Sequence, residues 1–165
     1  MSLERFLTAQ ASSHSGFKTA LAELKSGRKT SHWIWYLLPQ LEVLGRSGTA
    51  KFYGLKDGAE ATAYLQNPTL RENLRAMLDV IAAQLAQGVN VQTLMGSETD
   101  SLKLASCLTL FEPVATALHQ TEPATDSAAI ARRCSEILGM AESQGFSRCR
   151  ITLRELDPAS RRESV

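Results

Sequence analysis

The sequence predicts an all-α protein: a compact single domain of six to eight helices, several of them short. Three observations predict it. Apolar residues recur at helical spacing through the long segments. Capping residues and helix breakers punctuate those segments at their ends. The chain has 165 residues with 44% hydrophobic content, enough for one domain with its own core.

The elements follow in order. Ser2 can cap a first helix that carries Leu3, Phe6 and Leu7. Ser15 can cap a second, in which Phe17, Ala20, Leu21 and Leu24 follow the i, i+3, i+4, i+7 pattern. Gly27 ends it, because glycine enters the left-handed conformation without a Cβ penalty. Ser31 precedes a short element, His32 to Leu38, which Pro39 stops. One or two turns fit Thr49 to Tyr53, closed by Gly54. Asp57 and Glu60 have capping-box spacing ahead of a helix to Gln66. Asn67 then caps a new helix with Pro68 at its first position, and Leu70, Leu74, Met77, Leu78, Ile81 and Leu85 form one apolar stripe up to Gly88.

Asn90 can cap a turn through Leu94, and Ser97 with Asp100 resembles another capping box. The helix behind Ser97 carries Leu104, Leu108 and Phe111, and Pro113 is expected to interrupt or kink it. Residues 121–127 read as a loop. Asp126 or Ser127 starts a last helix with Ile130, Cys134, Ile137, Leu138 and Ala141, ended by Gly145. Cys149 to Arg154 alternates over a few residues, which fits an edge strand or a helical turn equally. The domain is expected to span residues 1–145, with 146–165 as a partly disordered C-terminal extension.

Charge removes several classes. Lys plus Arg is 18 and Asp plus Glu is 17, a net +1, so there is no strong nucleic-acid signal and no acidic tail. Glu4 and Arg5 fall where a secretory signal would need apolar residues. No apolar run approaches the ~20 residues of a membrane span. Cys107, Cys134 and Cys149 are an odd set without CxxC spacing, and His14, His32 and His119 do not sit beside them. No metal site and no cofactor are expected, and a reducing cytoplasmic location fits.

Candidate chemistry sits in two stretches. Residues 27–40 hold both tryptophans, Trp33 and Trp35, with Tyr36, His32, Arg28 and Lys29. Rings beside fixed cations can receive a flat or phosphorylated ligand. A helix starting at Ser31 or His32 would add free backbone N–H groups for an anion. The same apolar residues also fit plain core packing. From Lys18 to Lys56 there are seven bases and two acids, so a basic face is expected here, and Gly45-Arg46-Ser47-Gly48 could wrap an anion without being a P-loop. The second stretch is Gly96 to Phe111. Asp100, Lys103 and Ser106 share one side of its helix, either as a surface ion pair with a back-bonded hydroxyl or as a positioned acid and amine.

Taken together, the motifs Lys29–Tyr36, Pro39-Gln40, Gly45-Arg46-Ser47, Tyr53-Gly54, Glu60-Ala61, Tyr64-Leu65 with Pro68, Asp100–Ser106 and Thr109-Leu110-Phe111 resemble the bacterial family called domain of unknown function 1810. The resemblance covers roughly Leu3 to Leu118 and implies a small, mainly helical single domain. Leu37-Leu38 stands where that family commonly has a phenylalanine before the proline, and Cys107-Leu108 replaces a more usual Ser-Met. Some members carry the label calpastatin, a disordered repeat inhibitor, whereas this chain has core-forming stripes and no repeat.

Two functions are expected from these residues. The first is a pocket that binds or hydrolyses a small nucleotide-like or phosphorylated ligand, with N-glycosidic hydrolysis as the reaction to test. His32, Asp100 and Lys103 would be catalytic. Lys29, Ser31, Trp33, Trp35, Gln40, Arg46, Ser47 and Ser106 would bind the ligand. The alternative is a non-catalytic interaction module that presents an exposed Trp/Tyr/Arg patch to a protein partner.

Overall fold

The computed structural model describes residues 3–160. Among them are ten α-helices and no strand, so the all-α expectation holds and the helix count exceeds six to eight. The extra members are short pieces between the longer helices.

The first helices are α1 (Glu4–Gln10) and α2 (Phe17–Lys25), with Gly27 at φ 89° closing the second. Ser2 lies outside the described residues. Ser15 does not cap α2. Gly16 occupies that position in extended backbone, and Ser15 instead accepts from the Tyr36 hydroxyl through its carbonyl at 2.7 Å. Helix α3 is a single turn (Ile34–Leu37), beginning later than Ser31. The loop that follows is pinned by an isolated parallel bridge between Leu41 and Leu55, with Leu55 N–H donating to Gln40 O at 2.9 Å. Within it lies α4 (Gly48–Tyr53), capped by the Ser47 hydroxyl on Ala50 N–H at 3.1 Å.

The expected caps govern the middle of the chain. Asp57 accepts from Glu60 N–H at 2.9 Å and starts α5 (Gly58–Gln66), while Asn67 accepts from Leu70 N–H at 3.1 Å and starts α6 (Pro68–Ala86). The α6 stripe is buried along its whole length. Asn90 caps α7 (Val91–Met95) on Thr93 N–H at 2.7 Å. Ser97 caps α8 (Glu98–Thr121) on Asp100 N–H at 3.1 Å.

Helix α8 is the centre of the molecule. It passes through Pro113 without interruption, contrary to the sequence expectation. Val114, Ala115 and Leu118 continue the buried face beyond the proline. Burying three such side chains outweighs the ~3 kcal/mol that an interior proline costs. Its length and composition would also suit a membrane span, but 67% of the apolar window is buried inside the protein. The chain turns back through Asp126 at φ 51° into α9 (Ser127–Ser143), which makes the most extensive helix–helix interface of the fold with α8. The Gln144 side chain accepts from Val91 N–H at 2.7 Å, so the end of α9 returns beside α7, the short helix that precedes α8.

Residues 150–156, for which strand and helical turn both fitted, form α10 (Arg150–Leu156). It seats on α8 through the fully buried Thr152 and a 3.1 Å bond from Cys149 N–H to the Thr109 hydroxyl. Residues 161–165 of the expected extension lie outside the described residues. A polar network stitches the N-terminal elements together: the Gln10 amide donates to Tyr36 O at 2.7 Å and to the Tyr64 hydroxyl at 2.9 Å, and accepts from Asn73 at 2.9 Å.

Candidate functional site

The loop after α2 is organised by a carboxylate the sequence did not single out. Glu23 Oε1 accepts from Thr30 N–H at 2.7 Å, Ser31 N–H at 2.8 Å and the Trp33 indole N–H at 3.0 Å. Partial burial raises its pKa, but these bonds and one from the Ser31 side chain outweigh it and hold the carboxyl down at about 2. The backbone N–H groups expected to receive an external anion are therefore already occupied by an internal one. Trp33, expected to stack on a ligand, is fully buried with its N–H on Glu23.

Lys29 is the next link, and it is 7% exposed. Its Nζ lies 2.8 Å from Asp100 Oδ2, donates to Ser31 O at 2.6 Å and sits 5.0 Å over the Trp33 ring. Its backbone N–H donates to Leu94 O at 2.7 Å, which lays residues 28–30 against the turn between α7 and α8. Gly96 makes this approach possible. It has φ 84°, and a Cβ there would stand 2.8 Å from Lys29 O. Asp100 also faces Lys103 at 3.8 Å, and Lys103 Nζ lies 5.0 Å over the Trp35 ring. The two remote motifs thus meet in a relay of alternating charge: Glu23, Trp33, Lys29, Asp100, Lys103, Trp35.

Lys103 opens onto a cleft of about 540 Å³ between the residue 40–50 loop and the first turns of α8. Gln40, Arg46, Ser47 and Ser106 line it as well, with Leu44, Ala50 and Leu102 as apolar walls. Its lining contains two cations and no carboxylate. Trp35 lies in a narrow recess that shares Gln40, Ala50 and Lys103 with it. A groove of about 580 Å³ beside Pro113 matches the cleft in size, but none of the motif residues lines it.

The expected site residues therefore divide. Gln40, Arg46, Ser47, Lys103 and Ser106 gather in the cleft, and Trp35 stands beside it. Lys29, Ser31, Trp33 and Asp100 form the internal relay. Asp100 is held between two ammonium groups, at 2.8 Å from Lys29 and 3.8 Å from Lys103. His32 is exposed, with its ring 6.5 Å from that of Trp35, and lines neither the cleft nor the recess. In the 45–48 turn the Gly45 amide is committed inside the protein: its N–H donates to Glu42 O at 2.9 Å, and a Cβ on Gly45 would meet the Ala50 backbone at 2.9 Å. The exposed aromatic patch expected of a docking module is absent at Trp33 and Tyr36, which are buried.

Glu23 and Leu102 escaped the sequence reading. Glu23 lies in α2 while Thr30, Ser31 and Trp33 lie past its end, where helical spacing no longer applies, and Leu102 reads as one more surface position on an amphipathic helix.

No curated protein matches the chain. The crystal structure of the conserved hypothetical protein Rv1873 from Mycobacterium tuberculosis is similar, with a TM-score of 0.75 and 31% identity over 93% of this chain and 95% of that one. A family model described as "Protein of unknown function (DUF1810)" matches residues 1–149, well past the Leu118 limit read from the motifs, and the chain belongs to that family.

Proposed function

We propose that the protein binds a small phosphorylated ligand, nucleotide-like in shape, in the cleft between the residue 40–50 loop and α8. The observation that carries this reading is the pairing of Arg46 and Lys103 in one cleft that has no acidic lining. Arg46 is exposed and has no ion-pair partner among the described residues, so it can turn to an anion. Lys103 is steadied by Asp100 and the Trp35 face, which lowers the entropy lost when it meets a phosphate. The Ser47 and Ser106 side chains and the Gln40 amide add polar contacts. Leu44, Ala50 and Leu102 offer an apolar wall for a base or an acyl group. Binding is favoured over hydrolysis because Asp100 is committed to two lysines and His32 lies elsewhere.

The test is calorimetric titration with nucleoside monophosphates and ADP-ribose, with tryptophan emission followed in parallel. Saturable heat and an emission change from Trp35 are expected. Arg46→Ala and Lys103→Met should each weaken binding about tenfold or more, the scale of one charge-assisted hydrogen bond. No heat and no emission change with any of these ligands would refute the reading.

A further inference from the structure

Asp100 lies between two lysines but is not shared evenly. Lys29 Nζ is 2.8 Å from its Oδ2, whereas Lys103 Nζ is 3.8 Å from its Oδ1. Lys29 is buried and lines no part of the cleft. Its ammonium is turned inward, where Ser31 O at 2.6 Å and the Trp33 ring at 5.0 Å complete its surroundings. The Lys103 side chain is 23% exposed and does line the cleft.

Three charges in a row, positive, negative and positive, leave one positive charge over. The inner pair is the closer and the better shielded from water, so Asp100 is neutralised chiefly by Lys29. The surplus then falls on Lys103, at the cleft. Without Lys29, Asp100 and Lys103 would cancel each other, and Arg46 would be the one uncompensated charge in the lining. With Lys29 in place there are two, one on the residue 40–50 loop and one on α8. Glu42 and Glu98, the acids nearest in sequence to the lining, are exposed and form no part of it.

We propose that Lys29 sets the charge of the cleft from outside it, by neutralising Asp100, and that the cleft so charged selects a phosphomonoester dianion over a singly charged phosphate. Lys29 is a positioning residue: it touches no ligand and acts through Asp100 on Lys103. A phosphomonoester has a second pKa of about 6, so it carries two negative charges above neutral pH, whereas a phosphodiester carries one. Two uncompensated cations bind the extra charge. This inference rests on the ligand-binding reading and narrows it to one class of phosphate.

The probes are adenosine monophosphate and its phosphoramidate, in which an NH2 replaces one phosphate oxygen. The two have the same shape and differ by one negative charge. Calorimetric titration of the parent slightly above neutral pH should favour the monophosphate about tenfold. Lys29→Met should weaken the monophosphate about threefold to tenfold and bring the two ligands within about threefold of each other. Lys29→Met combined with Asp100→Asn leaves Lys103 uncompensated again, and should regain the parent preference. The preference is the deciding quantity, because a loss of folded protein lowers binding of both ligands alike. If Lys29→Met fails to fold by circular dichroism, the parent and the double variant decide. Equal affinities in the parent, a folded Lys29→Met that keeps the tenfold preference, or a double variant that binds without preference would overturn the proposal while leaving the ligand-binding reading intact. No binding of either ligand by the parent would overturn both.

Discussion

Trp33 and Trp35 are two residues apart and have different work. The first is sealed in the core with its N–H on Glu23; the second is partly exposed beneath Lys103. The same split runs through the two lysines that flank Asp100. Lys29 has a buried ammonium whose hydrogen bonds are satisfied inside the protein, whereas Lys103 reaches the edge of a cleft. One motif thus builds a rigid wall and, from its next residues, the surface beside the cleft. Chemistry-rich residues are not all site residues; some fix the position of others.

The widest separation is expected from the tryptophans. Trp33→Ala removes a fully buried ring and the donor to Glu23, at about 3–5 kcal/mol, whereas Trp35→Ala should cost about 1 kcal/mol. Urea unfolding reads the difference, and similar losses in the two variants would erase the distinction. The lysines come next. Lys29→Met leaves Asp100 without its nearest cation and should cost about 3 kcal/mol; Lys103→Met, whose charge is partly solvated, should cost less than about 1 kcal/mol. Adding Asp100→Asn to Lys29→Met should restore part of the loss, because no uncompensated charge then remains.

A third comparison is the acid dependence of the Glu23 hub. Its carboxyl titrates from an ordinary 4.5 in the unfolded chain to about 2 in the folded protein, so the native state holds fewer protons in that window. The stability it contributes is complete above about pH 4.5 and is lost as pH falls towards 2. The gap in unfolding free energy between the parent and Glu23→Gln should therefore be constant near neutrality and shrink through that range. A gap independent of pH would mean that the charge on Glu23 contributes nothing and the hydrogen bonds alone matter.

Much of the fold was legible because it is written locally. Asp57, Asn67, Asn90 and Ser97 each cap the helix expected of them, and the α6 stripe from Leu70 to Leu85 is buried as its spacing requires. Errors arose where tertiary burial overrode local preference. Pro113 sits inside α8 because the buried face extends past it. At residues 150–156 strand and helical turn were both open, and the helix is settled by the burial of Thr152 and the bond from Cys149 N–H to the Thr109 hydroxyl. At the site, the residue types in the cleft were recognisable, but their division was not.

The sequence by itself determined that the chain is helical, where most helices start and stop, and that residues 27–40 and 96–106 carry unusual chemistry. Caps, glycines and apolar spacing act within a turn or two, so a linear reading captures them. Only the tertiary structure decided that Glu23 fills the anion position, that Asp100 locks Lys29 inside and steadies Lys103 outside, and that Arg46 joins Lys103 across an open cleft. Those outcomes depend on which groups lose water when distant segments close on each other, and desolvation is a property of the packed molecule rather than of any stretch of chain.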